Sequence, residues 1–224
     1  MKRNITILAC VAGLLALTGC HGKMFNFGLG VKGSGVAKTE QRNIGNFTGL
    51  DVRGAFQVEV ICQKEARLEI TADDNLLKYI KTEVRGGVLH IETDGAQLNF
   101  KDSPRVLIAV PSLDDFNISG ASRVKATNMK AGDVKINLSG ASQFAATGTA
   151  QGIEADLSGA CKFDGKDLQA VKVDINASGA SKADVYASAD LYAEASGASS
   201  VYYYGNPQNI SPKTNGASKI SAGS

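Results

Sequence analysis

The sequence has no tryptophan, and only two histidines, four prolines and four cysteines among its 224 residues. Four cysteines are too few to staple a disulfide-built fold. With His21 and His90 as the only imidazoles, a His-rich zinc site cannot form. The motifs GxSxG and HExxH, a P-loop and an EF-hand loop are absent as well. No catalytic residue, metal or cofactor is therefore expected. Excess charge of one sign is missing too. There are 24 Lys and Arg against 22 Asp and Glu, and Lys2 and Arg3 lie in a segment expected to be removed, which leaves a neutral chain. A neutral chain without a basic run is a poor nucleic-acid binder, so no nucleic-acid partner is expected. Apolar runs of 18 residues are also lacking, and with them a membrane-spanning helix. What remains, 43% hydrophobic and 21% charged, is globular composition.

Met1-Lys2-Arg3-Asn4 is a basic start, and Ile5 to Leu17 is an apolar stretch too short to span a bilayer. It runs into Leu17-Thr18-Gly19-Cys20, which resembles the bacterial lipobox. The resemblance implies a signal peptide over 1–19 and fatty acylation of Cys20 with palmitate-type chains. Two or three such chains would hold the protein permanently in a membrane. Residue 21 is His rather than Asp, so the inner-membrane retention signal is missing. The expected location is the outer membrane, on its periplasmic or outer face. Residues 20–35 carry Gly22, Gly28, Gly30, Gly33 and Gly35 and are expected to form a flexible tether.

The second half repeats one motif. Ser119-Gly120-Ala121-Ser122 recurs as Ser139-Gly140-Ala141-Ser142, Ser158-Gly159-Ala160-Cys161, Ser178-Gly179-Ala180-Ser181, Ser196-Gly197-Ala198-Ser199 and Asn215-Gly216-Ala217-Ser218. A fixed period near 20 residues is the mark of a solenoid. The first residue of each motif is taken as position zero. Positions −3 and −1 are mostly apolar (Phe116 and Ile118, Ile136 and Leu138), and −2 is polar (Asn117, Asn137, Asp156, Asn176, Glu194, Lys213). Position +5 is apolar (Val124, Phe144, Phe163), and +4 is mostly Lys, Arg or Gln. This alternation is the period of half-buried strands. Such units bury their apolar face only by stacking like on like, at about 4.8 Å per coil. The expected fold is all-β, a right-handed parallel β-helix of ~20-residue rungs over 114–224 with a strand-rich part over 36–113 before it. The hand is taken by analogy with parallel crossovers. The glycine suits either an inward ladder shared with the second Ser, which fits Cys161 at that position, or a corner that resets the alternation.

Within 36–113, strands are expected at 47–52, 56–61, 68–71 and 105–110. Gly86-Gly87 should turn a hairpin between 82–85 and 88–92. Asp74 to Lys81 should form a short helix capped by Asp73 or Asp74. Val52-Arg53-Gly54-Ala55-Phe56 echoes the later motif, so the same coil should begin here and continue after an insertion that caps the stack.

The lipobox, the Gly-rich stretch, Phe47-Thr48-Gly49-Leu50-Asp51-Val52-Arg53-Gly54, Thr71-Ala72-Asp73-Asp74-Asn75-Leu76-Leu77 and Glu83-Val84-Arg85-Gly86-Gly87-Val88-Leu89-His90-Ile91 stand in order before the repeats. Over about residues 37 to 220 the chain resembles the family of the putative auto-transporter adhesin, head GIN domain. The Gly-Ile-Asn of that name is replaced, since Ala55-Phe56 follows Gly54. The resemblance implies a β-helical envelope protein without enzymatic activity.

His90 is expected on a solvated face. Cys62 and Cys161 fall in different coils, with no spacing that indicates a disulfide. Asp73-Asp74 and Asp114-Asp115 point to opposite sides of their strands and make no acid/base pair. Asp156 and Glu194 share one column but are separated by Asn176. The side chains best suited to a ligand are Tyr186, Tyr192, Tyr202 and Tyr204, whose flat amphipathic rings can meet a sugar or a partner protein. The function expected is non-enzymatic, adhesin-like surface presentation with a glycan or protein partner. The alternatives are a β-helix enzyme acting on polysaccharide and a structural protein assembling end to end.

Overall fold

The computed structural model describes residues 30–95 and 97–224; the expected signal peptide over 1–19, Cys20 and most of the expected tether lie outside them. Seventeen strands run in chain order as β1 Val31–Lys32, β2 Ala37–Arg42, β3 Gly49–Gly54, β4 Gln57–Cys62, β5 Arg67–Asp73, β6 Ile80–Arg85, β7 Val88–Thr93, β8 Leu98–Asn99 and β9 Arg105–Val110. They continue as β10 Asp115–Gly120, β11 Arg123–Gly140, β12 Gln143–Gly159, β13 Lys162–Ala177, β14 Lys182–Ala195, β15 Ser200–Tyr204, β16 Asn209–Thr214 and β17 Lys219–Ala222.

The repeats stack as parallel coils in register. Asn117 lies opposite Asn137, Asn137 opposite Asp156, and Asp156 opposite Asn176. Each coil has a first face, formed by the residues leading into Ser-Gly-Ala-Ser, and a second face, formed by those after it. Apolar residues at −3, −1 and +5, Phe116, Phe144 and Phe163 among them, are buried in every coil but the last, where Pro212 is exposed and Ile220 half-buried. Phe144 and Phe163 stack with centroids 5.6 Å apart, which adds about 1 kcal/mol to simple burial.

The glycine and the second serine divide the two roles that the sequence left open. The serine does face inward: Ser122, Ser142, Ser181 and Ser199 are buried, as is Cys161 in its place. The glycine makes a corner, with φ of +88° at Gly120, +76° at Gly140 and +100° at Gly159. The corner leaves the alternation intact, because a residue without a side chain occupies the position that would have broken it. Two bonds fix the corner. The Ala141, Ala160, Ala180 and Ala198 N–H groups each donate to the glycine carbonyl one coil back at 2.8 Å. The inward hydroxyl closes the turn, as when Ser142 Oγ donates to the Ser139 carbonyl at 2.8 Å, and Cys161 Sγ does the same to Ser158 at 3.2 Å.

The echo at residues 52–56 is a coil of the same stack. Gly49–Gly54 pairs in parallel with Asp115–Gly120, and β4 pairs with the start of β11. The insertion then folds beneath this coil. β7 pairs in parallel with β3 and β9 with β4, so they form a further coil on the far side. Antiparallel strands close the stack: β6 covers β7 on the first face, and β5 then β2 cover β9 on the second. The outermost edges read Ala-Lys-Thr-Glu-Gln-Arg and Ile-Lys-Thr-Glu-Val-Arg. Their charged side chains discourage pairing with another chain. The hairpin at Gly86-Gly87 forms as expected, with φ of +59° and +80°.

Two local expectations are corrected. The helix after Asp74 shrinks to one 3₁₀ turn, Leu77–Tyr79, with no side-chain cap. The carboxylates are engaged elsewhere. Asp73 accepts from Gly35 N–H at 2.7 Å and Lys101 N–H at 3.1 Å, while Asp74 accepts from the Ser34 hydroxyl. These bonds also hold the end of the Gly-rich stretch against the cap, where β1 pairs with β8.

Candidate functional site

Stacking turns each outward repeat position into a column, and two columns dominate the surface. On the first face, position −2 runs His90, Asp51, Asn117, Asn137, Asp156, Asn176, Glu194, Lys213, one per coil. Beside it run the motif serines Ser119, Ser139, Ser158, Ser178 and Ser196. Between the two lies a hollow of about 440 Å³, lined by Asn137, Asp156, Asn176, Glu194 and the serines from Ser139 to Ser196. Asn176 Nδ2 donates to Asp156 Oδ1 at 3.1 Å, so the amide and the carboxylate are mutually oriented. Amides offer a donor and an acceptor, carboxylates two acceptors, and hydroxyls both. A surface with all three can match vicinal hydroxyl groups. Among the described residues, no group of three or more His, Cys, Asp or Glu side chains is placed to hold a metal ion.

At the capped end the same column contains the most buried charge on this face. Asp51 is 4% exposed. Arg53 grips it through Nε at 3.1 Å and Nη2 at 2.7 Å, and His90 Nδ1 lies 3.1 Å from its Oδ2. His90 is thus half-buried and paired rather than solvated. Its outward direction follows from strand alternation, but its partner is 39 residues away in sequence.

The four tyrosines do not gather into one patch. Tyr186 and Tyr204 are register partners on the second face. Both are half-buried, with Gly205 packed beside the Tyr186 ring and Gly223 beside the Tyr204 ring. Tyr202 lies beneath two ammonium groups, Lys182 Nζ at 5.2 Å and Lys219 Nζ at 5.4 Å from its centroid. Tyr192 stands apart on the first face, between Asp174 and Ser211 and next to Glu194 and Lys213. It is 44% exposed, with Lys172 Nζ 5.3 Å from its ring centroid.

The second face shows what composition hides. Position +4 runs Arg105, Gln57, Arg123, Gln143, Lys162, Lys182, Ser200, Lys219 in strict register. A chain of formal net charge only +2, with no basic run in sequence, thus carries a basic column in space. The signal was present in the Lys, Arg or Gln that follows most motifs, and it acquires meaning only when the coils are aligned.

Burial pushes the thiols of Cys62 and Cys161 up from the ordinary range. Both are free and buried. Among the described residues, no helix is long and apolar enough to cross a membrane.

The sequence profile of the family described as putative auto-transporter adhesin, head GIN domain, matches residues 46–207. No curated protein matches the chain. Several solved structures share its fold. A putative adhesin from Bacteroides fragilis is 20% identical, with a TM-score of 0.69 over 86% of this chain and 100% of its own. A putative adhesin from Parabacteroides distasonis is 16% identical, with a TM-score of 0.55 over 85% of this chain and 99% of its own. A putative lipid binding protein from the same species is 19% identical, with a TM-score of 0.52 over 87% and 99%. At these identities the likeness is one of fold.

Proposed function

The chain belongs to the auto-transporter adhesin head GIN domain family, and from that premise we propose that it is a non-enzymatic, adhesin-like protein of the cell envelope that binds glycan through its first face. In this reading, lipid on Cys20 holds it in the outer membrane. The observation that carries the reading is the hollow between the Asn/Asp column and the serine column. Its donors and acceptors repeat at about 4.8 Å along the stack, so an extended glycan lying along the axis meets the same chemistry at each step. Tyr192 supplies the exposed ring at the edge of that face on which the apolar side of a sugar can rest.

The position of the tether supports the anchoring. Val31 pairs with Leu98 beside the cap, and Gly35 is bonded to Asp73. The ten residues from Cys20 to Gly30 can reach at most about 35 Å, which keeps the capped end nearest the membrane and leaves both long faces free.

The test uses the full-length protein in neutral detergent on a panel of immobilised glycans. Tyr192→Ser and Asp156→Ala should each lower binding at least tenfold with the melting temperature unchanged. Unaltered binding in both variants refutes the site. Protease shaving of intact cells tests the surface role: a protein protected from protease faces the periplasm and is not an adhesin.

A further inference from the structure

We infer that the second face is a separate binding site for a linear anionic polysaccharide, one whose carboxylate or sulfate groups lie along the stack axis. The site is independent of the first-face reading, because it uses other residues and opposite charge. Arg105, Arg123, Lys162, Lys182 and Lys219 stand in a single column, and no acidic residue interrupts it. The coils between them contribute amide or hydroxyl groups, so every position offers a hydrogen-bond donor. Of the five cations in the column, only Lys182 has an ion-pair partner among the described residues, Asp184 at 3.2 Å. Arg123 Nε donates to its neighbour Gln143 instead.

The column also retains an unfavourable contact. Lys162 and Lys182 are direct register partners, and like charges facing each other across strands are destabilising. A ligand with one anion per coil or two would relieve that repulsion. At the capped end the column opens into a hollow of about 480 Å³ between the coils and the antiparallel strands. Arg105, Arg123 and Lys125 line it with the apolar Leu107 and two carboxylates, Glu59 and Glu69, of which Glu69 is already paired with Arg67 and Gln41. This gives the end of a sugar chain a concave seat with cations on its rim and an apolar floor.

Polysaccharide is favoured over single-stranded nucleic acid by the aromatics. Non-specific binding of single strands relies on exposed rings for base stacking. Here Tyr186, Tyr202 and Tyr204 are half-buried, and Lys182 and Lys219 lie over the Tyr202 ring.

The experiment measures binding of full-length protein, in neutral detergent, to dextran sulfate, polygalacturonate, neutral dextran and a single-stranded oligonucleotide across a salt series. The expected result is binding to the two acidic polysaccharides that weakens steeply with salt, with none to neutral dextran. The triple variant Arg123→Gln, Lys162→Gln, Lys219→Gln should lower that binding at least tenfold. The triple variant Lys64→Gln, Lys78→Gln, Lys130→Gln removes the same charge from elsewhere and should change it less than twofold. The first-face variant Asp156→Ala should leave it intact, which separates failure of this site from failure of the glycan reading above. Equal losses in the two triple variants would show a net-charge effect and overturn the column. Equal or tighter binding of the oligonucleotide would overturn the polysaccharide assignment, and absence of binding to both acidic polymers would overturn the site.

Discussion

Replacing Gly140 by alanine tests the stack at its most constrained point. The added Cβ would lie 2.6 Å from the Gly120 carbonyl oxygen and 3.2 Å from the Gly120 nitrogen, both backbone atoms that cannot swing away. The residue also sits at φ +76°, where an L side chain costs about 1–2 kcal/mol. Moving the coils apart to relieve the clash weakens the 2.8 Å bond from Ala141 N–H to the Gly120 carbonyl, worth about 1 kcal/mol. Overpacking strain adds about 1–3 kcal/mol. The sum, about 3–6 kcal/mol, is a large share of the ~5–15 kcal/mol that holds a typical domain together. With a urea slope of about 2 kcal/mol per molar, the midpoint should fall by about 1.5–3 M. The control is Gly132→Ala. Nothing lies within 4 Å of its added Cβ, and its φ is not positive, so the midpoint should hold or rise slightly. If the two variants unfold at the same urea concentration, the close glycine column does not limit the spacing of the coils.

Other consequences are simpler to measure. Phe144→Ala, which empties the middle of the aromatic stack, should cost about 3–5 kcal/mol in urea unfolding. Ser181→Ala removes a donor from the Ser178 and Gly159 carbonyls and should cost about 1–2 kcal/mol, whereas Cys161→Ser should be neutral or stabilising. Cys62 and Cys161 should resist a thiol reagent at pH 8 until the protein is unfolded, with two thiols then titrating. Because burial raises both thiols, they stay protonated when folded while the unfolded chain releases its protons. Stability should therefore fall as pH rises past the unfolded thiol value of about 8.5, and a Cys62→Ala, Cys161→Ser double variant should lose that decline.

The solenoid was legible because its coils share nearly the same short strand patterns and the same corner. Position +3 shares the parity of +5, and the structure shows it inside at Ser122, Ser142, Cys161, Ser181 and Ser199. The glycine could not be assigned, because it has no side chain to show which way it points. In the cap, the strands at 67–73 and 105–110 and the hairpin across Gly86-Gly87 were legible, but their pairing was not. β2 and β6 are edge strands with polar sequences, so neither has a clear apolar period. The coil made of β7 and β9 is assembled from segments separated by a loop and a short strand, and it lies on the opposite side of β3–β4 from the repeats. Partners that depend on such returns, such as Asp51 with His90, leave no local trace. The functional columns were visible only in part. The −2 polar pattern was read correctly as outward, but alternation alone does not tell which face of the coil a tyrosine stands on, and Tyr192 lies on the first face while Tyr186 and Tyr204 lie on the second.

The order in which the chain enters the stack has a consequence for how such proteins can change in size. β3 and β4 are laid down early yet end up flanked on both sides, with unique sequence closing one flank and near-identical coils extending the other. A duplication or deletion of one coil would therefore disturb little if it fell among residues 115–222, and much if it fell in the cap. Each coil gained or lost there would lengthen or shorten both long faces by one equal step. The molecule then behaves as a ruler graduated from a fixed zero, and relatives of different length would be matched to polymers of different span without any new kind of contact.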